Sequence, residues 1–140
     1  MEEEVLKLEN QLCFPLYAAS RKVIKKYKQY LDKLDLTYTQ YIVMLVLWQN
    51  EKINVKELGN RLYLDSGTLT PLLKKLEDKG YIKRNKASFD ERNLIICLTN
   101  KGTDLKNKVL DIPKSIGKCI NINEDEALLL YKILYKILGS

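Results

Sequence analysis

Three cysteines and nine tyrosines carry most of the reactive potential in a chain of 140 residues that contains no histidine. Cys13 stands in LENQLCFPLYAASR, Leu8 to Arg21, beside a proline and within an apolar run spaced for a helix. A thiol in that setting is either inert packing or a redox-tuned group, because attack on a peroxide needs the thiolate and therefore a site that favours an anion. Without histidine, three devices remain. Backbone N–H groups at a helix start can face the sulfur, and Pro15 marks such a start or a bend. Tyrosine hydroxyls can donate to sulfur. Arg21 and the surplus of lysines add a positive field. Tyr17, four residues on, can approach Cys13 within one chain. Tyr27 lies on a similar face but about 21 Å further along one helix, so it can meet Cys13 only if the helix breaks or a second chain supplies it.

The other thiols are read more plainly. Cys13, Cys97 and Cys119 form no CxxC pair, which excludes a disulfide framework and a zinc site and fits a reducing compartment. Cys97 alternates with its neighbours in a β-rich run and reads as packing. Cys119, in SIGKCIN between two helices, is either a half-buried loop thiol or a second thiol that resolves oxidised Cys13. No metal or cofactor is expected.

The elements that must hold these groups follow from periodicity. A long helix spans about Val5 to Lys33, and because Pro15 interrupts it, either the helix proper starts near Asn10 or it bends at the proline. LTYTQYIVMLVLWQN opens a second, with Thr39 as the expected cap. Ile53 to Val55 suits a very short strand. NVKELGNRLYL is a short third helix capped by Asn54, and LDSGTLTPLLKKLEDKG a fourth, capped by Asp65 or Ser66 and stopped by Gly80. YIKRNK and NLIICL then change to a β period, with ASFDER as a polar tip between them. A fifth helix ends before Pro113. The last, NINEDEALLLYKILYKILGS, is capped by Asn123 and carries a strong apolar stripe. That stripe packs either on its own domain or, preferably, on a second copy together with the first helix.

Two short helices, a tight turn and a charged hairpin describe a winged helix-turn-helix. The leucines of the fourth helix turn inward, leaving Ser66, Thr68, Thr70 and Lys74 outward, where hydroxyls and an ammonium can meet base edges and phosphates in a major groove. The hairpin carries Lys83, Arg84, Lys86 and Arg92. Asp90 is read as orienting Arg92, whose guanidinium enters a minor groove. The bland alternative is a solvated charged face. A net charge of +6 suits a polyanionic partner but is weak evidence alone. The acidic MEEEV start is unlike a signal peptide, and the longest apolar run, Tyr41 to Trp48, is far short of the roughly 20 residues of a membrane span. A soluble, cytoplasmic protein without a membrane partner is expected.

YLDSGTLTPLLKKLEDKGYIKR, Tyr63 to Arg84, followed by DERNLIICLTNKG, resembles the MarR family of winged-helix transcription regulators. LENQLCFPLYAASR and LDLTYTQYIVMLVLW narrow the resemblance to its peroxide-sensing OhrR branch and the SarZ and MgrA regulators. The resemblance implies a homodimer on an inverted-repeat DNA operator, with the first and last helices at the dimer interface. It also implies organic hydroperoxide as inducer, reversible oxidation of Cys13 as the switch, and Tyr27 and Tyr38 of the partner subunit as hydrogen-bond donors to the thiol. The expected organisation is a mainly α fold. Residues 39–98 form the winged helix-turn-helix with its two-stranded β-wing, and 1–38 with 99–140 form a helical dimerisation layer, all within one integrated domain. Two rivals compete with a redox-responsive repressor that is not an enzyme: a regulator of the same fold answering a small aromatic or anionic ligand, with Cys13 merely packed, and a thiol peroxidase. The peroxidase lacks an arginine–threonine or redox-pair motif around the thiol.

Overall fold

Five of the seven α-helices described here begin on a side chain that accepts from the backbone. In a computed structural model, residues 2–86 and 94–139 are described, Lys86 by its backbone alone. Two 3-10 turns, Glu2–Leu6 and Leu8–Asn10, precede α1, Cys13–Leu31. The helix therefore starts at Cys13 rather than at Val5 or near Asn10. Pro15 lies in its first turn, where backbone N–H groups have no helical acceptor, so nothing is broken. A 3-10 turn closes it at Asp35, which takes the left-handed conformation at φ 53°. Thr37, not Thr39, caps α2 (Tyr38–Gln49): its hydroxyl accepts from Gln40 N–H while the Gln40 side chain accepts from Thr37 N–H. That reciprocal capping box defines the corner between α1 and α2.

After β1 (Lys52–Asn54), Asn54 caps α3 (Val55–Leu62). The turn into α4 (Ser66–Asp78) passes through Tyr63 at φ 56°, and Asp65 accepts from Thr68 N–H as the α4 cap. Gly59 makes this turn sterically feasible, since a Cβ there would stand 2.8 Å from the Leu64 carbonyl oxygen. At the far end α4 closes in a Schellman motif: Gly80 N–H reaches Glu77 O and Tyr81 N–H reaches Leu76 O, with Gly80 at φ 85°.

The chain then forms β2 (Ile82–Lys86) and β3 (Leu94–Leu98). Both outer strands pair antiparallel with β3, so the wing gains β1 as a third strand, in the order β1-β3-β2. Asp90 and the rest of the hairpin tip lie outside the described residues. Helix α5 (Asn100–Val109) follows a Thr99 cap, and the Trp48 indole donates to Gly102 O at 2.9 Å, tying α5 to α2. A further helix, α6 (Ile112–Cys119), occupies the stretch read as a loop. Pro113 opens α6 as well as following α5, and Ile112 and Ile116, one turn apart, bury its inner face. Last comes α7 (Glu124–Leu138), whose Asn123 forms a capping box with Glu126.

One core runs through the chain, with Met44, Leu47, Leu58, Leu73, Leu76 and Ile96 almost fully excluded from solvent and Leu105, Val109, Ile112 and Ile116 continuing it into α5 and α6. In contrast, α7 contributes no buried residue and α1 only Leu31. Glu77 ties α4 to β2: its carboxylate accepts from Arg84 Nη2 at 3.0 Å, Nε at 3.2 Å and backbone N–H at 2.9 Å. These bonds hold Glu77 below the ordinary carboxylate range, and the Thr68 N–H does the same for Asp65.

Two outcomes follow from this packing. Gly59→Ala should destabilise the fold by about 1–3 kcal/mol in urea denaturation, through overpacking against backbone. Asp65 and Glu77 have lowered folded values, so their stabilisation is complete above the ordinary carboxylate pKa, about 4, and is lost as pH falls through the lowered values. Asp65→Asn combined with Glu77→Gln should flatten the acid side of the thermal stability profile; an unaltered acid limb would remove both groups from it.

Candidate functional site

Cys13 is the first residue of α1 and is exposed in the single chain. The N–H groups of the first helical turn lie beside it, the position that favours a neighbouring anion. Among the described residues no hydrogen bond reaches its sulfur from the same chain. Tyr17, read as able to approach it, instead lies under Arg21, whose guanidinium carbon is 5.6 Å from the ring centroid.

The tyrosines gather at the other end of the helix. Tyr27, on the penultimate turn of α1, meets Tyr38 at the start of α2 with ring centroids 4.8 Å apart. Tyr41, one turn on, completes a triangle at 5.7 Å from Tyr27 and 6.1 Å from Tyr38. Burial raises all three phenols. For Tyr27 the Tyr38 phenol adds to burial, and for Tyr41 both neighbours add, taking it to about 12. Such phenols keep their protons and present O–H donors. Tyr41 was missing from the sequence reading, although its spacing of three from Tyr38 puts both on one helical face.

Because α1 is continuous from Cys13 to Leu31, the thiol and Tyr27 are separated by about 21 Å along the axis. Cys119 belongs to the tyrosine end as well. It ends α6, is half-buried, and lies 3.9 Å from the Tyr30 hydroxyl, a contact that raises the Tyr30 phenol. Cys13 and Cys119 of one chain are thus about 25 Å apart along α1, far beyond the roughly 7 Å Cα separation a disulfide allows. Cys97 stays in β3, where the Asn85 amide donates to its sulfur at 3.6 Å.

On α4, Ser66, Thr68, Thr70 and Lys74 are all exposed, while Leu69, Leu72, Leu73 and Leu76 are buried. The Thr70 hydroxyl donates to Ser66 O at 2.8 Å, which leaves its methyl and lone pairs outward. Arg84 is placed differently from its sequence assignment. Its guanidinium is half-buried on Glu77, so it braces the wing against α4 instead of standing free for phosphate. The expected signal, a cation in a basic hairpin, could not reveal a carboxylate seven residues earlier across the turn. Lys83 is exposed on β2; Asp90 and Arg92 lie outside the described residues.

A groove of about 700 Å³ also opens along α1 toward the α1–α2 corner, lined by Lys22, Lys25 and Lys28 together with Ile24, Leu31 and Tyr38. Among the described residues no helix is long and apolar enough to cross a membrane.

Comparison with known proteins agrees with this layout. The family described as transcriptional regulator SarA/Rot matches residues 25–109. The chain is 52% identical to the HTH-type transcriptional regulator SarZ of Staphylococcus saprophyticus over 140 residues, covering all of this chain and 96% of that protein. It is 49% identical to the organic hydroperoxide resistance transcriptional regulator of Bacillus subtilis, across 96% of this chain and 92% of that one. The structure of reduced AbfR bound to DNA superposes with a TM-score of 0.80 at 37% identity, covering 99% of this chain and 97% of that one. These relatives are regulators and not enzymes, which sets aside the peroxidase alternative. The family match over most of the chain, the relatives at about half identity and the superposition together establish that the chain belongs to the SarA/Rot family of transcriptional regulators and has the MarR-type winged-helix fold.

Proposed function

We propose that the chain works in the cytoplasm as a homodimeric, redox-responsive repressor. Reduced, it holds an inverted-repeat operator in double-stranded DNA; an organic hydroperoxide that oxidises Cys13 releases it. The observation that carries this reading is the division of one helix, with an exposed thiol at its head and a pair of phenols in contact at its foot. Two such helices running antiparallel bring each thiol to the other chain's phenols. The uncovered apolar side chains of α1 and α7, among them Phe14, Ile24, Leu128 and Ile133, supply the surface for that pairing.

The chemistry then follows from the residues. The Cys13 thiolate attacks the distal peroxide oxygen; the O–O bond breaks, the sulfur becomes sulfenic acid, and the alkoxide leaves as alcohol after taking a proton. The added oxygen enlarges the sulfur and changes its hydrogen bonding, so contacts with Tyr27 and Tyr38 rearrange and the spacing of the two α4 helices changes. Cys119 of the second chain is suited to resolve the sulfenic acid, since it sits beside Tyr30 at the same end of α1 as the phenols. Its thiolate displaces hydroxide from sulfur, giving a disulfide and, with one proton, water. On the DNA side, Ser66, Thr68, Thr70 and Lys74 face the major groove, Arg92 with Asp90 serves the wing, and Arg84 acts through Glu77 as a brace.

The groove lined by Lys22, Lys25 and Lys28 beside apolar Ile24 and Leu31 favours a second reading, induction by a small aromatic anion with Cys13 passive. Operator binding before and after treatment with cumene hydroperoxide, with mass spectrometry of Cys13, separates the two. Wild-type protein should leave the operator as Cys13 gains oxygen, and Cys13→Ser should remain bound; release of the serine variant by the peroxide would overturn the redox reading. Cys119→Ser should still be oxidised but lose the cross-linked dimer on a non-reducing gel. Arg92→Ala should weaken binding and lower the slope of log affinity against log salt by about one. An affinity matching wild type at every salt concentration would take the wing out of the interface.

A further inference from the structure

Three helix ends converge on one ammonium. Lys79 is the C-cap of α4, and its Nζ donates to the carbonyl oxygen of Asp35, the left-handed residue that closes the α1 end. The same Nζ lies 3.6 Å from the Asp35 carboxylate and 3.1 Å from Oε1 of Gln40. Gln40 is only 2% exposed, and its Oε1 also accepts the Thr37 N–H at 3.0 Å. One amide oxygen therefore holds both the first turn of α2 and the last turn of α4. Tyr38, whose ring meets that of Tyr27 at a tilt of 57°, lies between Thr37 and Gln40 in that first turn. From the other side, Lys101 donates to the Lys79 carbonyl at 2.7 Å, so the C-terminal end of α4 is gripped at side chain and backbone together.

We propose that Lys79 is the positioning residue that couples the tyrosine cluster to the DNA-reading helix, latching the end of α4 to the corner between α1 and α2. This rests on the redox reading above and names its transmission element. A displacement of Tyr38 turns the first turn of α2, moves the Gln40 oxygen, and pulls or frees Lys79. Hydrogen-bonded networks between rigid elements carry such coupling because they switch between discrete arrangements. Asp35 contributes through its carbonyl, in a left-handed conformation that aspartate, like asparagine and glycine, adopts more readily than most residues.

The test is operator binding by fluorescence anisotropy on the full chain, reduced and after cumene hydroperoxide, with Cys13 oxidation verified by mass spectrometry in each sample. The quantity read is the ratio of oxidised to reduced Kd. In Lys79→Met the ratio should shrink about tenfold or more relative to wild type, the scale of ordinary allosteric coupling, with Cys13 oxidised to the same extent. Lys79→Arg, which can reach the same oxygens, should restore it. A merely structural role would weaken both states equally and leave the ratio unchanged. Lys79→Gln, which loses the charge but keeps a donor for the Gln40 and Asp35 oxygens, should lower the ratio by a smaller factor, and it decides the matter if Lys79→Met does not fold. A wild-type ratio in the variants, with wild type itself released, overturns the latch alone. Retention of fully oxidised wild-type protein on DNA overturns the redox reading and the latch with it.

Discussion

The continuity of α1 is the constraint on which the rest depends. A helix unbroken from Cys13 to Leu31 holds the thiol and the phenols of one chain apart. In the redox reading proposed above, chemistry joining them crosses between chains, and a sensor of that kind exists only when two copies meet. That arrangement joins assembly and sensing in one surface. The same helix that buries only Leu31 in its own chain has most of its apolar side chains left for association, and the exposed Cys13 stands at its head.

The reading unit is built on a different principle, dense internal bracing. Caps at Asn54 and Asp65, the close approach at Gly59 and the Schellman closure at Gly80 hold α3, α4 and β2 in one unit. The Glu77–Arg84 fork adds a charge-assisted tie across the turn. Rigid bracing on one side and incomplete burial on the other give a molecule with a firm head and an adaptable base, and the corner at Asp35 to Gln40 is where the two meet.

Much of this architecture was legible in the sequence. Leucine spacing on α4, the caps at Asn54, Asp65 and Asn123 and the stop at Gly80 each depend on local chemistry within a few residues, and the structure has them where the pattern put them. The α2 cap moved from Thr39 to Thr37 because the reciprocal partner is Gln40, which matches a threonine three residues earlier. Helix α6 was hidden because Pro113 reads equally as the end of one helix and the start of the next. Arg84 was misplaced for a deeper reason. Its partner is met only after the chain reverses at Gly80, and a tertiary contact of that kind leaves no periodic trace. The convergence on Lys79 is of the same type, drawing on Asp35 and Gln40 some forty residues earlier. Tyr27 and Tyr38 were singled out through the family resemblance, and the structure shows the two rings in contact.

The bracing of α4 to β2 has a geometric consequence. The exposed hydroxyls of Ser66, Thr68 and Thr70 occupy the first two turns of α4, whereas Lys79 holds its opposite extremity. Thirteen residues make a rod of about 20 Å, so a tilt of about 10° pivoting at the held extremity sweeps the far tip by about 3 Å. That excursion rivals the length of a whole hydrogen bond, about 2.9 Å. Because the wing is bolted to the same rod, its strands must swing in step. In the latch proposed above, a small motion at the buried Gln40 amide is thereby enlarged at the groove-facing tip, where a double helix can follow it only at an energetic cost.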